Sequence, residues 1–235
     1  MNSSQTIVPF PVAHATPQEL AVKNTLSGQR LNTFEVATSV LPKERGALAL
    51  YAWNAQVSAA MLAPLHICEV TIRNAVSDAI TCVYGPTWPW NPAFIGSLPN
   101  SGKWNMRSHL SGLTAAMPAA TTTTGKIIPE IKFVFWEKMF TGRFDAQIWM
   151  QHLFSVLPNF NQNNTVQQAR FKINQDLLKV RRLRNRVAHH EPILAWNLSD
   201  DLATLKELVG FRCLETATWM DANQQASALI LLRPL

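Results

Sequence analysis

Residues 165–193 read TVQQARFKINQDLLKVRRLRNRVAHHEPI, and this stretch decides the fold. Thr165 is a good helix N-cap, and Pro192 requires the helix to stop near it. At about 100° per residue, Val166, Ala169, Ile173, Leu177, Val180 and Val187 fall within about 60° of one direction. They form an apolar core stripe, and the same arithmetic puts Arg184 at its centre. A guanidinium there is costly unless it is paired, for example with Glu69, or opens onto a cleft that takes an anion. Asn185 and His189 are four apart and share a face, so the amide can orient the imidazole. Lys172, Lys179, Arg182 and Arg186 cluster opposite the core, where they suit phosphate contacts. From Thr165 to His190 the chain holds seven basic residues and one acid, Asp176, so that part carries the whole net charge of +6. A cationic stripe on an otherwise neutral body points to a polyanion, nucleic acid first. A solvated helix face is the alternative reading.

Working outward, helical patterning dominates. Leu50, Trp53, Val57 and Met61 recur at helical spacing and predict a helix over residues 44–63, which Pro64 interrupts. A second helix is expected over 66–84, with Ile72, Val76, Ala79, Ile80 and Val83 inward and a stop at Gly85-Pro86. Residues 86–102, with four prolines and two glycines, predict an ordered loop. A weak helix over 103–117, a polar loop over 121–125, and helices over 130–140 and from an Asp145 N-cap to Leu157 follow. Ser199, with Asp200 and Asp201 behind it, is expected to open the last helical region. Trp53, Trp136 and Trp149 sit in apolar helical patterns and read as core. No alternating strand is evident, so the class is all-α. Residues 1–16 are expected to form a loose arm and 17–235 a single helical domain.

Hydrophobic residues make up 47% of the chain and charged residues 15%, which excludes a disordered protein. No apolar run is expected to approach the roughly 20 residues a membrane span needs, the best being Ala226 to Leu232. The start lacks a signal peptide's basic residues and unbroken apolar core. Cys68, Cys82 and Cys213 are odd in number and widely spaced, as expected of reduced thiols in a cytoplasm. Thr121 to Lys126 lacks the first glycine and the final hydroxyl of a phosphate loop. His66, Cys68 and Glu69 are too few for a metal site, and Glu69 with Arg73 reads as an intrahelical pair.

The run Arg182-Leu-Arg-Asn-Arg-Val-Ala-His-His-Glu-Pro-Ile193 resembles the motif of Abi-like, abortive-infection proteins of the HEPN superfamily. That signature is an Arg followed four to six residues later by His, often with Asn after the Arg: here Arg184, Asn185 and His189. Tyr51-Ala-Trp-Asn54, Glu69-Val-Thr-Ile-Arg-Asn74, Tyr84-Gly85 with Trp88, and Ile131-Lys-Phe-Val-Phe-Trp136 extend the likeness over about residues 45–200. The resemblance implies a HEPN-like helical bundle and a homodimer with its motif at the dimer cleft. It also implies metal-free RNA cleavage, of toxin or phage-defence type, with no cofactor and with a cognate antitoxin as a further partner. Some members of the superfamily only bind, so a catalytically silent RNA- or protein-binding module is the rival expectation.

RNA supplies its own nucleophile, the ribose 2′-hydroxyl. Cleavage needs proton transfer to and from oxygen and a cation for charge developing at phosphorus. Histidine performs the first near neutral pH, and arginine's planar fork performs the second. The expected products carry 2′,3′-cyclic phosphate and 5′-hydroxyl ends. His189 fits the spacing and the Asn185 face, and His190 replaces it if the helix ends early. Arg184 and His189 diverge on a regular helix, so a deformed end or a second copy is needed to unite them.

Overall fold

The computed structural model describes residues 14–102 and 104–234 and is all-α, with no strand among the described residues. The helices are α1 (Pro17–Leu26), α2 (Gly28–Ala37), α3 (Lys43–Tyr84), α4 (Pro92–Ser97), α5 (Met106–Ala116), α6 (Thr124–Ile127), α7 (Phe133–Met139), α8 (Met150–Val156), α9 (Val166–Ala188), α10 (Leu198–Arg212), α11 (Leu214–Ala222) and α12 (Ala226–Leu231). The expected N-terminal arm falls largely outside the described residues. Its last member, Thr16, already caps α1 through a reciprocal box with Glu19.

The axis of the fold is α3, a 42-residue helix that runs straight through Pro64. This corrects the expected break. A proline inside a helix forfeits one hydrogen bond and crowds the preceding turn, at a cost of about 3 kcal/mol. Here the buried face is unbroken across it: Val57, Met61, Pro64, Leu65, Cys68 and Ile72 keep three- and four-residue steps. Burying a single Leu or Ile side chain contributes roughly 1.5–3 kcal/mol, so the continuous face outweighs the proline. By length and composition, α3 is also apolar enough to cross a membrane, which corrects the expectation that no run approaches that length. Its surroundings are those of a core helix, since α2, α7, α8, α9, α10 and α12 all pack against it. Val83, expected inward, is exposed.

Between α3 and α9 the chain is more helical than its prolines suggest. Gly85, at φ 84°, ends α3 as expected. The expected loop over 86–102 instead holds a 3₁₀ turn, Trp88–Trp90, and the short α4, each with a proline in its first turn. Likewise α6 takes up part of the expected polar loop, and α7 starts three residues after the Ile128–Glu130 turn. Asp145 is not an N-cap. It opens a π-helical turn, Asp145–Trp149, and its carboxylate holds Arg170 Nε at 2.9 Å. At α10 the cap is Asn197, whose Oδ1 accepts from Asp200 N, and Ser199 lies inside the helix. Trp136 and Trp149 are fully buried and Trp53 nearly so, as core residues.

Asp201 is the exception in this packing. Its carboxylate is buried between α10 and α9, one oxygen has no hydrogen-bond partner, and burial beside Asp200 raises its pKa to about 6 despite Lys179 nearby. Between pH 4 and 6 the folded state therefore holds a proton that the unfolded state has released, and stability falls as pH rises through that window. Asp201→Asn is expected to raise the melting temperature at pH 8, with the gain shrinking as pH falls towards 4. Thermal melts of both proteins across pH 4–8 check this; a constant difference contradicts it.

Candidate functional site at the end of α9

Thr165 and Gln168 cap α9 reciprocally, as the sequence predicts. Its buried positions are Ala169, Ile173, Asp176, Leu177, Val180, Leu183 and Val187. Including Asp176 and Leu183 moves the centre of the buried arc about 50° from Arg184. Arg184 is therefore at the edge of the core stripe, with its side chain 43% exposed, and not at its centre. The sequence wheel left those two residues out, and that misplaced the axis.

The Arg184 guanidinium faces Glu69 of α3 across 3.8 Å, too far for a close ion pair. Glu69 also holds Arg73, one turn further along α3. One carboxylate thus stands between two guanidiniums and leaves the trio with a net positive charge. The buried Nε of Arg73 has no hydrogen-bond partner. An orphaned guanidinium donor beside a half-exposed second guanidinium is chemically suited to an anion. The sequence reading of Glu69–Arg73 as an intrahelical pair holds, and the partner it offered for Arg184, Glu69, faces that arginine without closing on it.

The cationic face is a second correction. Lys172 binds Asp176 at 2.7 Å and Glu207 of α10 at 2.6 Å, and Arg186 lies 3.5 Å from Glu191 and donates to Pro192 O. Lys179 faces the α10 segment that carries Asp201. Arg181 is bound to Glu137 of α7, and Arg170 to Asp145. Lys179 and Arg182 are exposed and form no salt bridge among the described residues. Most of this charge joins α9 to its neighbours, because acids on other helices come opposite it, which a single-helix wheel cannot show. Lys172→Ala is accordingly expected to cost about 1–2 kcal/mol by stranding buried Asp176. Denaturant melts check this, and unchanged stability with lost RNA affinity would restore the phosphate-contact reading.

The helix stays regular to Ala188, so Arg184 and His189 diverge by about 140° and do not meet within one chain. His189 is the C-cap, exposed, its N–H donating to Asn185 O. Asn185 is half-buried. His190 follows at φ 55°, a left-handed conformation uncommon outside glycine, which histidine adopts more readily than most. That turn brings His190 to the α3 side, where it lines a cavity of about 410 Å³ with Arg30, Tyr51, Asn54, Ser58, Leu62 and Val187, among others. Arg30 of α2 donates to the His190 carbonyl and, at 3.2 Å, to the Tyr51 hydroxyl. Asn54 Oδ1 accepts from Ile193 N at 2.8 Å and fixes the segment after the turn.

Arg30 was not singled out by sequence reasoning. It lies outside the Abi-like span, and nothing in its own neighbourhood marks it. Tyr51 and Asn54 belong to a segment that resembles the family, but carried no assigned role. His66 is exposed while Cys68 is buried, with its thiol pushed far up by burial, so the two do not face a common ligand. Burial and Lys132 hold the His109 imidazole below its usual range, and its Nε2 accepts from Lys132 N. The chain matches no protein-family model, no curated protein and no solved structure.

Proposed function

We propose that this chain is a metal-independent endoribonuclease of the Abi-like, HEPN type, acting as a homodimer. Arg184, backed by Glu69 and Arg73, takes the scissile phosphate, and His189 transfers protons at the ribose 2′-hydroxyl and the leaving 5′-oxygen. The observation that carries this reading is the half-exposed Arg184 guanidinium, loosely held by a carboxylate already paired to Arg73, on the same exposed helix end as His189. Because the two side chains diverge on one helix, a second copy completes the site, with the Arg184 of one protomer serving the His189 of its partner. Toxin or phage-defence action, and a partner antitoxin that masks this helix end, belong to the same reading.

The test is incubation of a mixed RNA pool in excess chelator, with the new ends identified chemically and the oligomeric state measured by light scattering. Cyclic phosphate and 5′-hydroxyl ends from a dimer are expected. Intact RNA that is nonetheless bound would support the silent binding module instead, and cleavage that requires magnesium would overturn the mechanism.

A further inference from the structure

The cavity beside His190 is separate from the Glu69–Arg73–Arg184 cluster. From Leu62, at its near edge, to Glu69 is seven residues of α3, or about 10 Å along the helix. Both features lie on the same flank of α3 and against α9. Their linings differ. The cluster is guanidinium and carboxylate, whereas the cavity has an apolar wall of Ala55, Ala59, Leu62 and Val187 with polar groups set into it.

Those polar groups have capacity to spare. Arg30 uses two of its five N–H donors, on Tyr51 and on the His190 carbonyl. Its guanidinium also sits 5.9 Å from the centre of the Tyr51 ring. The Tyr51 hydroxyl accepts from Arg30 and still has its own proton to donate. Asn54 accepts from Ile193 N and retains its amide donors. Ser58 and His190 complete the lining. An apolar wall takes a flat ring, the amide and hydroxyl groups read its edge, and the guanidinium takes an anion. About 410 Å³ falls within the range of small-ligand pockets. A ligand that combines a planar heterocycle with a phosphate fits this set; a bare phosphate leaves the apolar wall unused.

We infer that the cavity is a nucleotide-binding subsite, in which Arg30 contacts a phosphate and the Ala55–Leu62 wall receives the base. This inference rests on the ribonuclease reading for its purpose: it makes the occupant a nucleotide of the same strand, held beyond the cleaved phosphate, and gives the enzyme a choice of base. Arg30 has a second, positioning role. By binding the His190 carbonyl it holds the left-handed turn that sets His190 at the cavity's edge.

The test uses the full chain with the four ribonucleoside 3′-monophosphates, adenosine, and inorganic phosphate as separate probes, each titrated by calorimetry. At least one mononucleotide is expected to bind with Kd below 1 mM, on the order of tenfold or more tighter than phosphate or adenosine alone. Arg30→Ala should weaken binding at least tenfold. Because that change also frees the His190 turn, Ala55→Trp is the independent probe: it fills the cavity from an exposed position on α3 and should abolish binding without lowering the melting temperature. Absence of mononucleotide binding by the wild type, or binding undiminished in Ala55→Trp, overturns the subsite. Binding of phosphate as tight as that of every nucleotide overturns the base wall. RNA cleavage by the same preparations separates the two claims. Cleavage without mononucleotide binding removes the subsite and leaves the ribonuclease, and mononucleotide binding without cleavage does the reverse.

Discussion

His189→Ala and Arg184→Ala are each expected to reduce RNA cleavage in excess chelator by roughly 10²-fold or more. On the proposed mechanism, the first removes the group that exchanges protons with the 2′-hydroxyl and the leaving oxygen. The second removes the fixed positive charge proposed to meet the phosphorane. Arg184 is half-exposed and 3.8 Å from Glu69, so its loss should leave the melting temperature within a few degrees of wild type. Inactivity can then be read as chemistry and not unfolding. His190→Ala should retain more activity than His189→Ala, because His190 is turned off the helix end towards the α3 side. Mixing the two inactive variants gives the sharper result. If the site is shared between protomers, a heterodimer of Arg184→Ala and His189→Ala contains one intact composite site, and mixing should restore a measurable fraction of cleavage. Rate measurements on the separate and mixed variants decide it. Full activity in folded His189→Ala would remove that histidine from the mechanism, and no recovery on mixing would remove the shared site.

Much of this was legible in the sequence because it is local. The cap at Thr165, the stop at Gly85 and the spacing of Leu50, Trp53, Val57 and Met61 depend on residues within a few turns of one another, and each appears where expected. Pro64 was misread because its local cost is certain, whereas the compensating burial comes from helices distant in the sequence. The wheel for α9 erred for a related reason. Asp176 counts as polar in a sequence, yet it is buried because Lys172 on its own helix satisfies it. Leaving it out turned the apparent core towards Arg184. Part of the cation face was hidden in the same way, since Glu207 arrives from α10 to take Lys172. Arg30 illustrates the limit most plainly. Its partners, Tyr51 and His190, are 21 and 160 residues away, and no periodicity or spacing connects them.

Trp88→Ala is expected to be the most destabilising change considered, at about 3–5 kcal/mol. Trp88 lies in the proline-rich segment that the sequence suggests is a loop, yet its side chain is fully buried. Its indole N–H donates to Ser77 Oγ of α3 at 3.1 Å, and its ring meets Phe94 and Trp136 edge-on at 5.2 and 6.3 Å. One side chain thus fastens α4 and α7 to the central helix, and α7 in turn holds α9 through Glu137 and Arg181. Truncation leaves a large cavity at this junction and strands a buried hydroxyl, which adds to the loss. For a chain of this size each kcal/mol shifts the melting temperature by roughly 2–4 °C, so a fall of about 10 °C is expected. Trp88→Phe separates the two contributions: it keeps most of the packing, removes only the N–H donor, and should cost about 1–2 kcal/mol. Thermal and denaturant melts of the three proteins measure both differences. A melting temperature within 2–3 °C of wild type for Trp88→Ala would mean that the segment over 86–102 packs independently of α3. The proline-rich stretch would then be the loop its composition suggests, and not part of what positions α9.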